Sequence, residues 1–314
     1  MAVRNVIIDC DTGADDALAL LLALRSPQLN VLGITCVAGN VPLDKVVPNT
    51  LRVVENSGKQ VPVMAGASQP LLCPLQTAEV VHGSDGLGDL GFDPPKLQPS
   101  IEHAVAFLIR TATETKEPVE WIAQGPLTNL ALALMREPAL NRRIKQLTLM
   151  GGGITGGNTT AMAEFNIAVD PEAADVVLRS GIPTTMVPLE PCMQDGHFAT
   201  EDIEQLMGAT NPWAAMAGQL MAWQMELFQR FGANQVTPPD PVAVAVAIDA
   251  TLAEALDHHV VVELHGTHTR GMTVVDRRWF RRFEPDAAPT NVNVVFKVDN
   301  ERYRRLYLDT LLAA

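Results

Sequence analysis

Residues 5–24 read NVIIDCDTGADDALALLLAL, and the order of residue types here decides how the rest of the chain is read. Apolar, β-prone positions run from Val6 to Ile8 into a burst of carboxylates, Asp9, Asp11, Asp15 and Asp16, and an Ala/Leu-rich run follows at once. The pattern predicts a strand, an acidic turn and a helix. Four like charges within eight residues repel one another, and the positive end of a helix dipole offsets only part of that. Capping the helix needs one carboxylate, not four. The turn therefore implies a bound cation. Oxygen ligands without a Cys/His cluster suit a hard ion such as Ca²⁺ or Mg²⁺ better than zinc.

Two familiar motifs are tested against this turn. An EF-hand loop beginning at Asp9 requires Gly at its sixth position and Glu at its twelfth, where the chain has Ala14 and Leu20. Phosphatases of the haloacid dehalogenase type also place Asp-x-Asp after their first strand, usually with a hydroxyl residue two positions beyond the second Asp. Gly13 stands there. An Mg²⁺-dependent phosphatase with Asp9 as nucleophile stays as the second enzyme reading.

The 314 residues are 47% hydrophobic, enough for a sizeable core without covalent staples. Cys10, Cys36, Cys73 and Cys192 show no paired spacing, which favours a reducing compartment over a disulfide framework. No apolar leader precedes Asp9 and no run reaches the roughly 18 residues of a membrane span, so a cytoplasmic protein without a membrane partner is expected. A net charge of −13 argues against nucleic acid, which is bound by Lys/Arg surfaces that displace counterions. An uncharged small molecule is the better match. The one basic concentration, Arg277, Arg278, Arg281 and Arg282, reads as a solvated face or a subunit contact.

Working outward, residues 30–37 and 61–65 read as strands, separated by a helical period over 43–56 that Pro48 is expected to kink or break. Residues 66–100 lose all pattern, and so long an irregular stretch suggests an active-site flap. Alternation resumes with helices at 101–115, 128–136 and 171–179 and strands at 119–123, 146–150 and 183–187. Residues 201–250 are mainly helical, with Asp240 opening an apolar helix; strands at 260–264, 272–275 and 292–298 precede a C-terminal amphipathic helix. This predicts a single α/β domain over 1–314: an open, mostly parallel, Rossmann-like sheet with helices on both faces. Ligands of such sheets bind beyond the carboxyl ends of the strands. The acidic turn, Asn40, Gln124, Met150 and a loop bearing Asn158, Glu164 and Asn166 each follow a predicted strand, so they can share one rim. Residues 151–156, GGGITG, satisfy a dinucleotide fingerprint only formally, because residues 157–160 do not start a helix.

Asp9 to Ala17 closely resembles the signature DxDxGxDDAxA of the inosine-uridine preferring nucleoside hydrolases. The likeness continues through Ala38-Gly39-Asn40, the HGSDGLG run from His82, Gly125-Pro126-Leu127-Thr128-Asn129, Met150-Gly151-Gly152, Ala163-Glu164-Phe165-Asn166, Asp240-Pro241, Thr269-Arg270-Gly271 and Val274-Val275-Asp276. The resemblance implies a Ca²⁺-dependent N-glycosidase that splits ribonucleosides into ribose and free base, usually as a homodimer or homotetramer. It implies Asp11, Asp16, Asp240 and the backbone carbonyl of Gln124 as metal ligands, with Asp11 also as general base. Asp15, Asn158, Glu164 and Asn166 match positions that hold the ribose hydroxyls, Asn40 and Met150 match further pocket positions, and Asp9 matches a support behind the ligands. Breaking a C–N glycosidic bond through a cationic sugar needs an activated water and a carboxylate-rich pocket, which agrees with this set.

One position departs from the family. Many members carry His, and others Trp, just before the late aspartate to activate the leaving base, whereas this chain has Pro239. Phe228 and Phe231 stand where tyrosines are common. His82, matching a flap histidine, is the expected substitute, with His197 and Trp223 as alternatives. A Ca²⁺-dependent nucleoside or ribose binder that has lost turnover is the non-enzymatic alternative.

Overall fold

The computed structural model describes residues 3–230, 232–284 and 286–313; Phe231 and the side chain of Arg282 fall outside the described set. The strands are β1 (Arg4–Cys10), β2 (Leu29–Cys36), β3 (Val63–Ala65), β4 (Val119–Ala123), β5 (Ile144–Met150), β6 (Thr184–Val187), β7 (Ala253–His258), β8 (Val260–Val262), β9 (Thr273–Val275) and β10 (Val292–Val298). The helices are α1 (Ala14–Arg25), α2 (Leu43–Ser57), α3 (Glu79–His82), α4 (Ala104–Glu114), α5 (Thr128–Arg136), α6 (Phe165–Val169), α7 (Pro171–Leu178), α8 (Leu189–Asp195), α9 (Thr200–Met207), α10 (Pro212–Gln229), α11 (Pro239–Ile248) and α12 (Asn300–Leu312). Eight strands form one sheet in the order β3-β2-β1-β4-β5-β6-β10-β7, parallel except for β7, which runs antiparallel to β10. Strands β8 and β9 form a separate antiparallel hairpin.

Side-chain alternation along β1 explains the layering. Val6, Ile8 and Cys10 point into a core shared with α1, α2 and α9–α12, while Ile7 points into the core built with α4, α5 and α7. A sheet buried on both faces needs apolar residues in both phases, and β1 and β4 supply them. Helix α1 is buried from Ala14 through Leu24 because α2, α10, α11 and α12 surround it. A helix apolar on all sides is stable only when enclosed in this way. Tyr307 of α12 reaches it with a hydroxyl donating to the Leu18 carbonyl at 3.2 Å.

The expected elements recur, and the differences that bear on the sheet and its cover are these. Helix α2 continues through Pro48 without a break, its buried face of Val46, Val47, Leu51, Val53 and Val54 packed on the core. Strand β7 has no counterpart in the sequence pattern: an antiparallel edge with Glu254, Leu256 and Asp257 exposed carries no apolar run. The strands expected near 260 and 273 leave the main sheet, and only β10 enters it. Residues 66–100 are irregular apart from α3. Arg278 and Arg281 of the basic run both pair with Asp276, at 2.7 and 3.0 Å. Among the described residues no helix is long and apolar enough to cross a membrane.

Candidate active site

Strand order 3-2-1-4-5-6 reverses direction between β1 and β4, and the crevice beyond their carboxyl ends is where such sheets take ligands. The Gln124 N–H donates to the Asp9 carbonyl at 2.8 Å, stitching the two strand ends together. The turn after β1 then delivers its carboxylates into the protein: Asp9, Asp11, Asp15 and Asp16 are all buried, as is Asp240 at the start of α11.

Asp16 sits in a cradle of donors, accepting from the Asp11 N–H at 3.2 Å, the Gly13 N–H at 2.9 Å and Asn40 Nδ2 at 2.9 Å. Asp11 Oδ2 accepts from the Asn40 N–H at 2.7 Å, while Asp11 Oδ1 is buried without a hydrogen-bond partner. Glycine is required on both sides of Asp11. A Cβ on Gly39 would stand 2.1 Å from Oδ2, and one on Gly125 would stand 2.5 Å from Oδ1. Beneath, Asp9 Oδ1 accepts from the Thr35 hydroxyl and from Asn129 Nδ2, the latter at 2.9 Å.

The electrostatics are those of an uncompensated acidic cluster. Burial, then the neighbouring Asp15, pushes the Asp16 carboxyl up to about 8. Burial and the charges of Asp16 and Asp15 raise Asp11 well above the carboxylate range, and burial with Asp15, Asp16 and Asp11 does the same to Asp240. Asp9 is raised to about 7 by burial, against the opposing bonds from Thr35 and Asn129. Oxygens of Asp15, Asp16 and Asp240 lie within 4.8 Å of one another. Buried carboxylates this close ionise together only beside a cation. The cluster, with the orphaned Asp11 Oδ1, therefore fits a hard divalent ion. The grouping brings Asp15, expected to face ribose, into the tightest set and leaves Asp11 at its side.

The second half of the site comes from the loop after β5. Glu164 caps α6, its carboxylate accepting from the Asn166, Ile167 and Gly152 N–H groups at 2.9, 3.3 and 2.8 Å. Burial raises it to about 7. Asn166 Nδ2 donates to the Gln124 carbonyl at 3.0 Å and to the Met150 carbonyl at 3.2 Å. Gln124, Met150, Glu164 and Asn166 are thus gathered at one point beside the acidic turn. Asn40 is present too, but as a brace whose amide is occupied by Asp16. Asn158, on the same loop, is exposed, and its Oδ1 accepts from the Phe165 N–H at 2.9 Å, closing its own loop.

His82, at the end of α3, is buried over the turn. Its Nδ1 accepts the Ala14 N–H at 3.3 Å, so that nitrogen carries no proton and the 3.5 Å approach to Asp15 is not an ion pair. Burial lowers its pKa in keeping with a neutral ring, despite Asp15 nearby. Trp223 packs on the same run, with a Gly88 Cβ falling 2.6 Å from its ring, whereas His197 is engaged with Asn300 at 3.0 Å. Pro239 offers only its carbonyl, 3.7 Å from Cys192 Sγ.

Residue patterns did not single out Thr35 and Asn129 as the bonds holding Asp9, nor Glu190, which fixes the loop after β5 by accepting from the Ile154 and Thr155 N–H groups at 2.8 and 2.6 Å. Asn129 ends the GPLTN run, which was the available signal. A cavity of about 850 Å³ opens elsewhere, between α2 and residues 94–99, walled by Leu43, Val47, Leu51, Pro94 and Leu97. It contains none of these carboxylates and lacks the chemistry of the crevice.

Comparison with known proteins places this geometry in context. Residues 6–305 match the family model described as inosine-uridine preferring nucleoside hydrolase. A pyrimidine-specific ribonucleoside hydrolase RihA of Photobacterium profundum is 39% identical over 311 residues, covering 98% of each chain. Among solved structures, the plant nucleoside hydrolase PpNRh1 superposes with a TM-score of 0.92 at 29% identity, covering 99% of each chain. A purine-preferring ribonucleoside hydrolase from Gardnerella vaginalis gives 0.91 at 29% identity over 98% of each.

Proposed function

The chain belongs to the inosine-uridine preferring nucleoside hydrolase family, enzymes that hydrolyse ribonucleosides to base and ribose, and we propose that it acts on pyrimidine ribonucleosides with a bound Ca²⁺ ion. The observation that carries this reading is the buried cluster of Asp11, Asp15, Asp16 and Asp240, with Asp11 Oδ1 left without a hydrogen-bond partner. Asp11, Asp16, Asp240 and the Gln124 carbonyl would hold the ion. When bound, it supplies the positive charge that lets these carboxylates ionise together and polarises the oxygens it gathers.

The chain's own groups account for the remaining chemistry. Asp11, through its unpaired Oδ1, takes a proton from the water that attacks the anomeric carbon. Asp15, Glu164 and Asn166 bind the ribose hydroxyls, and the anionic pocket stabilises the positive charge that develops on the sugar as the C–N bond breaks. Asp9 stays behind Asp11 as a support, its Oδ1 held by Thr35 and Asn129, and the family assignment displaces the phosphatase alternative. The bonding pair leaves with the base. Pro239 has no proton to give it, so His82, neutral and free to donate from Nε2, is the group we assign to assist departure, the flap over residues 66–100 holding it in place. The 39% identity to a pyrimidine-specific relative, against 29% to a purine-preferring one and 32% to an inosine-guanosine nucleoside hydrolase, supports pyrimidine preference.

Release of reducing sugar from uridine, cytidine, inosine and adenosine, with and without chelator and added Ca²⁺, tests the proposal. Chelator-sensitive release, fastest from a pyrimidine nucleoside, is expected. Calcium-dependent nucleoside binding without any release would instead make the protein a binder whose turnover was lost with its leaving-group acid.

A further inference from the structure

The sequence run Thr269-Arg270-Gly271, followed by Thr273, has no part in the chemistry above, yet the structure puts it in contact with three segments of the site. It forms the turn and second strand of the β8–β9 hairpin, closed by the Gly271 N–H donating to the Glu263 carbonyl at 2.7 Å. We propose that this hairpin is a positioning element for the glycosidic reaction, with Thr273 as the residue that sets the Glu164 carboxylate; this rests on reading Glu164 as a ribose ligand.

Gly151, Gly152 and Gly153 connect β5 to the Glu164 loop, with φ of +156° at Gly151 and +78° at Gly152. Such a run has little conformational preference of its own, so its path must be fixed from outside. Thr273 does so. It is buried, its hydroxyl accepts from the Gly153 N–H at 2.9 Å and donates to the Gly153 carbonyl at 2.7 Å. Gly152 lies so close that a Cβ there would be 2.8 Å from Thr273 Oγ1, and the Gly152 N–H donates to Glu164 Oε2 at 2.8 Å. One peptide thus separates Thr273 from the carboxylate.

The rest of the hairpin acts in the same sense. At Gly271, with φ of +82°, a Cβ would stand 3.1 Å from Ala168 Cα and 3.3 Å from Ala163 Cβ, the residues bracketing Glu164 and Asn166. Arg270 Nη2 donates to Glu172 Oε1 at 2.5 Å at the start of α7 and lies 3.0 Å from Cys73 Sγ in the segment that leads to His82. A hairpin outside the main sheet therefore braces the ribose loop on one side and the entry to the flap on the other.

The test uses the full-length protein with Ca²⁺ and uridine. Thr273→Val keeps shape but removes both bonds to Gly153, and Thr273→Ser keeps the hydroxyl. Expected results are a fall in kcat/KM of about tenfold or more for Val, near-complete rescue by Ser, and unchanged Ca²⁺ affinity, since the metal ligands lie on other segments. Because Thr273 acts through Glu164, adding Thr273→Val to Glu164→Gln should cost little beyond Glu164→Gln alone. Wild-type kcat/KM in folded Thr273→Val, or independent multiplicative losses in the double variant, overturns the proposal while leaving the ribose reading intact. Full activity in Glu164→Gln overturns both. Should Thr273→Val not fold, Arg270→Gln takes its place in the same cycle, and wild-type kcat/KM or multiplicative losses there refute the bracing role.

Discussion

Substituting Gly125 by Ala tests whether the position of Asp11, rather than its mere presence, controls turnover. The added Cβ would lie 2.5 Å from Asp11 Oδ1 and 2.8 Å from its Cγ, about 1 Å inside the separation at which non-bonded heavy atoms rest. The carboxylate cannot retreat freely. Its other oxygen accepts from the Asn40 N–H at 2.7 Å, and Gly39 closes that side so tightly that a Cβ there would be 2.1 Å away. Asp11 must therefore rotate out of the Asn40 bond, a charge-assisted hydrogen bond worth about 1.5–3 kcal/mol. A displacement of about 1 Å at a reacting group costs on the order of 100-fold in rate. The expected result is a folded Gly125→Ala protein whose kcat/KM for ribose release falls by roughly that factor, with weakened Ca²⁺ binding by calorimetry. Gly58→Ala is the control: φ is +70° there and a Cβ would meet nothing within 4 Å, so it costs backbone strain of about 1 kcal/mol and no activity. A folded Gly125→Ala enzyme within about threefold of wild-type kcat/KM would refute the reasoning.

Other consequences can be checked more briefly. Asp16 and Asp9 hold protons up to about pH 8 and 7 in the cation-free protein, whereas the unfolded chain releases them near pH 4. The folded state thus binds more protons, and its stability should fall as pH rises from about 4 to 8; urea midpoints in chelator that stay level over that range would contradict the assignment. Asp240→Asn replaces a carboxyl that burial and the neighbouring Asp15, Asp16 and Asp11 force to take up a proton on folding, so the cation-free melting temperature should rise while the increase on adding Ca²⁺ disappears. His82→Ala should slow uridine hydrolysis but spare a riboside with a nitrophenolate leaving group, which departs unassisted; equal losses on both would remove His82 from the leaving-group role. Phe198, whose ring centroid lies 5.2 and 4.9 Å from those of Tyr303 and Tyr307, should cost about 3–5 kcal/mol as Phe198→Ala in chemical denaturation.

The sequence by itself determined the first β-strand, acidic turn and helix, because apolar period and charge density are local properties that residues 5–24 display in full. It also determined the parallel, doubly covered sheet, since strands alternating with helices at that spacing have few other ways to bury both phases. Residues that follow strands, such as Asn40, Gln124 and Met150, were legible as rim residues for the same reason. What local pattern could not hold was partnership. Edge strand β7 has no apolar signature, because its order comes from the ladder with β10. That the Asn40 amide donates to Asp16, a pairing across 24 positions, is one such case. The orphaned Asp11 Oδ1, the enclosure of Asp11 between Gly39 and Gly125, and the reach of Thr273 to Gly153 across 120 positions are likewise products of packing. Residue types announced a charged site; only the tertiary structure decided which of its oxygens are satisfied and which are left without a partner.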